Sequence, residues 1–240
     1  MALMRLDKLL SSTGEYSRSE AKGLIRSGAV MIGDRPARFG DEKVDPEVTI
    51  VTVKGNRIGY TEHHYIMMNK PSGFLSATED SRDKTVLELM EQKYRKLGLF
   101  PAGRLDKDTE GLLILTDDGD FCHNVITPDK KVPKVYFAEI IGQLADRHIA
   151  EFREGIVLRD GYKCRPAILE ILADSEGKKC LITIEEGKFH QVKRMVAACN
   201  CQVAYLKRLK IGSLALDTTL APGEYRELTE EEKKLVLIGN

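Results

Sequence analysis

The chain has 240 residues, 42% of them hydrophobic and 31% charged, and its 37 basic and 37 acidic side chains leave a formal net charge of +0. This composition excludes a disordered or fibrous chain and suits one or two globular domains. No apolar run approaches the roughly 20 residues of a membrane span, and the opening residues lack the apolar stretch of a signal peptide, so a cytoplasmic protein is expected. Neutral overall charge argues against a uniformly basic nucleic-acid binder, but the distribution is uneven. Lys188, Lys193, Arg194, Lys207, Arg208 and Lys210 fall in a segment without a single acid, whereas Glu230, Glu231 and Glu232 cluster later. Five cysteines, an odd number, favour reduced thiols over a disulfide framework. Cys199-Asn200-Cys201 has no second cysteine or histidine pair beside it, so no metal is expected.

In chain order, Leu6, Leu9 and Leu10 have helical spacing, and Ser17 with Glu20 forms the capping-box pattern of a second helix running through Ala21, Leu24 and Ile25. Gly28 suits the helix stop, Ala29 to Ile32 reads as a strand, and Val48 to Val53 as another. Arg18, Lys22 and Arg26, four apart, share one helical face, which is either a solvated surface or a row of phosphate contacts. The polar, Gly-containing stretch Lys54 to Glu62 reads as a linker, dividing the chain into domains 1–60 and 61–240.

Beyond it, strands are expected at Tyr65 to Met68, Leu112 to Leu115, Val135 to Ile141, Ala167 to Leu172 and Cys180 to Ile184. Helices are expected at Thr85 to Lys96, Asp146 to Arg153 and Gln191 to Ala198. Strands outnumber helices and do not alternate with them, which predicts an α+β fold with a mainly antiparallel sheet. Arg104, Asp106, Lys107, Asp108 and Glu110 stand directly before the apolar run Leu112 to Leu115, and Asp117-Asp118-Gly119 reads as the turn that ends it. A charged loop fixed to a buried strand is a candidate catalytic loop, although most such loops are solvated connections.

Residues 5–9, 17–21 and 24–30, with their R-L-D-K-x-L, S-R-x-x-A and L-I-x-x-G-x-V patterns, resemble the small RNA-binding module named after ribosomal protein S-four. The remainder resembles the RsuA family of bacterial pseudouridine synthases through "YIMMNKPSG", "GRLDKDTEGLLILTDDG", "KVYFAEI" and "EEGKFHQVKRMVAACN". The ending "LAPGEYRELTEEE" points to its small-subunit rRNA branch. The resemblance implies a monomeric, cofactor-independent enzyme that isomerises a uridine of 16S rRNA, with uridine 516 the expected target, free or in a partly assembled subunit. It implies Asp106 as the catalyst, Tyr136 as the aromatic against the target base, and Lys193, with Arg194 as its neighbour, as the cation beside the carboxylate. Many relatives carry Arg where this chain has Lys193, so a single-point contact is expected in place of a bidentate pair. RNA contacts are expected from Arg5, Lys8, Arg18, Lys22, Arg26, Lys70, Arg104, Lys107, Lys134, Lys188, His190, Arg194, Lys207 and Arg208, with Asp108 and Glu110 arranging Arg104 and Lys107. Two other readings compete: a non-catalytic rRNA-binding assembly factor, and a Mg²⁺-dependent aspartate phosphatase using Asp106 and Asp108. The second wants its aspartates at the end of a strand, whereas here the strand follows them.

Overall fold

The computed structural model describes residues 3–173 and 175–238. The chain forms two compact units: residues up to His64 together with Leu87–Leu99, and Tyr65–Val86 together with the rest from Phe100. The segment Leu87–Leu99 belongs with the first unit although it lies well past the expected linker.

In the first unit, helices Leu6–Ser11 and Arg18–Arg26 form where the apolar spacing and capping box place them. Ser17 Oγ accepts from the Glu20 N–H and the Glu20 carboxylate accepts from the Ser17 N–H, so two amides that the helix leaves open are satisfied. Leu6, Leu9, Leu10, Ala21 and Ile25 pack against Val30, Val44, Val51 and Val53 as one core. The expected strand Val48 to Val53 is shorter, Val51–Val53, because Asp45 and Thr49 hold the preceding residues in a turn. The expected linker contains a hairpin: Lys54 and Gly55, both with positive φ, let Asn56–Arg57 fold back on Val51–Val53. The expected helix Thr85 to Lys96 is broken into a 3₁₀ turn, Val86–Leu89, and a short helix, Gln92–Arg95. Glu91 between them is extended, and the Arg95 guanidinium takes up the carbonyls of Glu88 and Met90 that a continuous helix would have used.

The second unit is built on a mixed sheet of nine strands among the described residues. Its order is Ile168–Ile171, Lys179–Ile184, Lys134–Ile141, Gln202–Ile211, Glu110–Thr116, Tyr65–Lys70, Tyr225–Glu227, with Phe100–Pro101 and Leu214–Ala215 on its flanks. Neighbours are antiparallel except Gln202–Ile211 beside Glu110–Thr116. The fold is therefore α+β with a mainly antiparallel sheet, as its element pattern predicts. Leu112, Leu113, Ile114 and Leu115 are fully buried at its centre. Asp117-Asp118-Gly119 does more than end that strand. The Asp118 carboxylate accepts from the Phe121 N–H and starts a helix, Gly119–Ile126, whose Phe121 and Val125 join the core with Met67, Leu112 and Ile114. A second helix absent from the sequence reading, Glu230–Leu237, opens on a Thr229–Glu232 capping box and buries Val236.

Candidate active site

Asp106 sits in the loop that enters the central strand Glu110–Thr116. That loop is held by side chains lying beneath it. The Lys70 ammonium, 0% exposed, donates to the carbonyls of Thr109 (2.8 Å), Pro71 (3.0 Å), Asp106 (3.2 Å) and Lys107 (3.2 Å). Burial pushes the pKa of Lys70 down to about 8, while the nearby Asp108, Glu110 and Asp106 carboxylates pull it upward. The buried Ser76 hydroxyl meets both the N–H and the carbonyl of Leu105 at 3.1 Å. Lys70 is thus an internal strut, and its expected RNA contact is corrected: a fully buried ammonium has no surface to offer a phosphate.

The cation beside Asp106 comes from helix Gln191–Ala198. Lys193 Nζ lies 3.1 Å from Asp106 Oδ2 and 2.5 Å from Asp108 Oδ1, bridging both carboxylates of the loop. Burial by itself would lower the Lys193 pKa, but Asp108 and Asp106 outweigh it and the value rises. The Asp108 carboxyl is held below its usual value, first by its hydrogen bond from Lys193. Arg194 points elsewhere and pairs with Asp160. His190 Nε2 is 3.6 Å from Asp106 Oδ1. The expected task of Asp108 and Glu110 is also corrected. Asp108 binds Lys193, Glu110 accepts from the Tyr205 hydroxyl at 2.8 Å, and Lys107 pairs with Asp83 at 2.5 Å.

Beside the loop opens a cavity of about 640 Å³, lined by Asp106, Arg104, Lys107, Lys134, Tyr136, Glu186, Lys188, Phe189, His190 and Arg208 among others. Tyr136 and Arg208 are paired across neighbouring strands. The Arg208 guanidinium carbon lies 6.0 Å from the Tyr136 ring centre, its NH1 is 3.5 Å from the Tyr136 hydroxyl, and its Nε donates to the Leu112 carbonyl at 2.7 Å. Arg208 is only 3% exposed, and its NH2 has no hydrogen-bond partner among the described residues. Lys134, on the same strand as Tyr136, is buried and donates to the Val125 carbonyl. Burial first, then the positive charge of Arg208, pushes its pKa down to about 8. Lys134 and Arg208 are therefore buried groups lining the cavity, where an exposed phosphate contact is not open to them. Arg104, Lys107 and Lys188 are exposed at its rim, and Lys207 is half-buried.

Glu186, which the sequence reading passed over, organises the loop leading to Lys193. This buried carboxylate accepts from the Gln191 amide (2.6 Å), the Tyr162 hydroxyl (2.7 Å) and the Arg165 N–H (2.9 Å). The Gln191 side chain in turn accepts from the Lys188 N–H at 2.8 Å. A carboxylate with three donors in place rigidifies its surroundings, and nothing in the local sequence distinguishes it from the exposed acids. Away from this site, Arg18, Lys22, Arg26 and Lys8 are exposed in the first unit, whereas the Arg5 guanidinium is engaged in a fork with Asp7 at 2.8 and 2.9 Å.

Comparison with known proteins identifies the family of the chain. Residues 64–198 match the RNA pseudouridylate synthase family, and residues 4–50 match the S4 domain. An uncharacterized RNA pseudouridine synthase of Bacillus subtilis, YtzG, is 50% identical over 97% of this chain and 98% of its own length. The ribosomal small subunit pseudouridine synthase A of Vibrio cholerae is 42% identical over 95% of this chain and 97% of its own. A crystal structure of a pseudouridylate synthase, 36% identical, superposes with a TM-score of 0.68 over 97% of this chain and 99% of the other. With an S4 domain ahead of a matching catalytic half, the chain belongs to the RNA pseudouridylate synthase family.

Proposed function

We propose that the protein isomerises one uridine of 16S rRNA, uridine 516 by the usual count, with Asp106 as its catalyst. The observation that carries this reading is the Asp106–Lys193 pair, with Asp106 and Tyr136 lining one cavity. The small-subunit assignment is supported by the name of the Vibrio cholerae relative. In the reaction the N1–C1′ bond of the uridine breaks and a C5–C1′ bond forms, while the proton lost from C5 is balanced by one gained at N1. No electrons are exchanged and no second substrate is consumed, so the demands on the site are a reactive carboxylate, room for the base to turn, and exclusion of water from the detached intermediate. Lys193 pairs with Asp106 and orients it, and the pinned loop fixes where its oxygens point. Tyr136 offers a ring face to the extruded base; such stacking contributes roughly 1–3 kcal/mol. The protein is expected to act as a cytoplasmic monomer, on free rRNA or on a partly assembled subunit.

The test is a chemical map of pseudouridine across rRNA from cells with and without the protein, paired with Asp106→Asn. This variant keeps the shape of the carboxylate and removes its charge, so it should bind the same RNA at least as tightly and form no product over a long incubation. Asp108→Asn should be impaired yet active, because Lys193 retains Asp106. Single-turnover product from folded Asp106→Asn, free of wild-type enzyme, would exclude this loop as the catalytic one.

A further inference from the structure

Phe189 is 76% exposed, the most exposed large hydrophobic side chain of the described residues. It is not on a loose segment. Its ring lies flat on His190, with centroids 3.8 Å apart and planes inclined by 18°, and His190 is the residue whose Nε2 reaches towards Asp106. The turn that presents the two rings is fixed at both ends. Glu186 and Gln191 bind one another beneath it, Gln191 also binds the Lys188 N–H, and the Arg194 N–H donates to the His190 carbonyl at 2.9 Å. His190 adopts a left-handed backbone, φ 50°, which a non-glycine residue keeps only where its surroundings over-determine it. The same cavity that holds Asp106 and Tyr136 is lined by Phe189, and the exposed cations Arg104 and Lys188 stand around it, with Lys107 paired to Asp83.

A large aromatic face held open to water at a catalytic cavity needs an occupant, and the surrounding positive charge indicates a polyanion that carries flat apolar surfaces. A nucleotide strand has both properties. Bringing a uridine into the cavity also leaves an unstacked neighbour behind, at a cost of a few kcal/mol. We propose that Phe189, backed by His190, is a positioning residue that stacks on the RNA base adjacent to the target uridine and so holds the uridine extruded. The inference rests on the reading of the cavity as a uridine site. It adds a contact to the flanking nucleotide, separate from the contacts to the reacting one.

The discriminating variants are Phe189→Ala, Phe189→Leu and Phe189→Trp, all at a surface position where folding is not at stake. Leucine keeps an apolar body against His190 but has no ring face, whereas tryptophan keeps the face. On a small-subunit rRNA hairpin containing the mapped uridine in its stacked context, Phe189→Ala and Phe189→Leu should each lose about tenfold or more in single-turnover rate at limiting enzyme, as the loss of one aromatic–base stack implies. Phe189→Trp should stay within about threefold of wild type. On the same RNA with an abasic site beside the target uridine, wild type should fall to the level of Phe189→Ala, because the partner of the ring is gone. Leucine performing like tryptophan, Phe189→Ala matching wild type, or an abasic neighbour slowing every variant equally overturns the proposal. If wild-type protein forms no pseudouridine on any rRNA, the reading of the cavity fails and the proposal falls with it. If wild type is active and only the Phe189 pattern is absent, the proposal alone fails.

Discussion

Lys193 bridges Asp106 and Asp108 with one ammonium, and its substitution separates charge from geometry. Lys193→Met leaves two facing carboxylates without a cation and should lower kcat by about a hundredfold or more, the scale expected when an electrostatic partner is removed from a catalytic site. Lys193→Arg should retain substantial activity, although a planar fork fits two divergent acceptors differently from a point charge. The pH behaviour of this pair follows from its shifts. The Asp108 carboxyl is depressed below 3.8 and the Lys193 ammonium raised above 10.5, so the stabilisation they share persists through neutrality. It is lost only as pH falls through the depressed acid value or rises through the elevated lysine value. Lys134 behaves in the opposite sense. Its folded value of about 8 lies below the ordinary 10.5, so it is charged below about 8 and neutral above. Between those two values the unfolded chain binds the extra proton, and folding gains stability as pH rises. If the charged form serves the substrate, kcat/KM should decline through about pH 8 in wild type, and Lys134→Met should remove that inflection from the pH–rate profile.

The strand Glu110–Thr116 carries the Asp106 loop at one end, and two features keep it in register. Gly111 has φ 99°, and a Cβ there would lie 2.2 Å from the Arg208 carbonyl oxygen and 2.8 Å from the Arg208 nitrogen. The absence of a side chain is what lets Gln202–Ile211 run parallel beside it, with Arg208 opposite Gly111 on one side and opposite Tyr136 on the other. Gly111→Ala should therefore cost about 3 kcal/mol or more in urea unfolding, and lose activity through displacement of Arg208 and Tyr136. Lys70→Met tests the strut under the loop. It removes the Lys70 donor from the Thr109 and Pro71 carbonyls, whereas Asp106 and Lys107 keep theirs from the Thr109 and Gly73 N–H groups, and it should cost about 2–4 kcal/mol, with turnover falling further than the lost stability would explain. A Lys70→Met protein with wild-type unfolding and turnover would remove the strut from the account of the site.

For the molecule as a whole, the exposed row Arg18, Lys22 and Arg26 lies in the S4 domain, and Asp106 and Lys193 lie in the other unit. Reversing all three charges to Glu should weaken rRNA binding and reduce the log–log salt slope by about three, roughly one per lost phosphate contact. Turnover at saturating RNA should survive. Equal affinity and equal salt slope would make this row an ordinary solvated helix face. Point substitutions are better suited here than deletion of the N-terminal residues, because Leu87–Leu99 packs within the same unit: Lys96 donates to the Glu15 carbonyl and pairs with Glu20.

Local order was written in the sequence where it depends on a few consecutive residues. The capping box at Ser17 and the fully apolar run Leu112 to Leu115 set a helix start and a central strand, because caps and burial periodicity act within one turn or one pleat. The Asp118 and Thr229 caps carry the same kind of signal, a side-chain acceptor that opens a helix within one turn. The tertiary structure alone decided which charges are working surface and which are interior. Lys70, Lys134 and Arg208 look like any other basic residues in one dimension, yet strands distant in sequence cover them and supply their acceptors. The family resemblance named Lys193 as the partner of Asp106, but the distance between them, and the pairing of Arg194 with Asp160 instead, depend on how helix Gln191–Ala198 is set against the loop. Burial and long-range pairing are properties of the assembled fold, since the energy of a charge is set by what surrounds it and not by its neighbours along the chain.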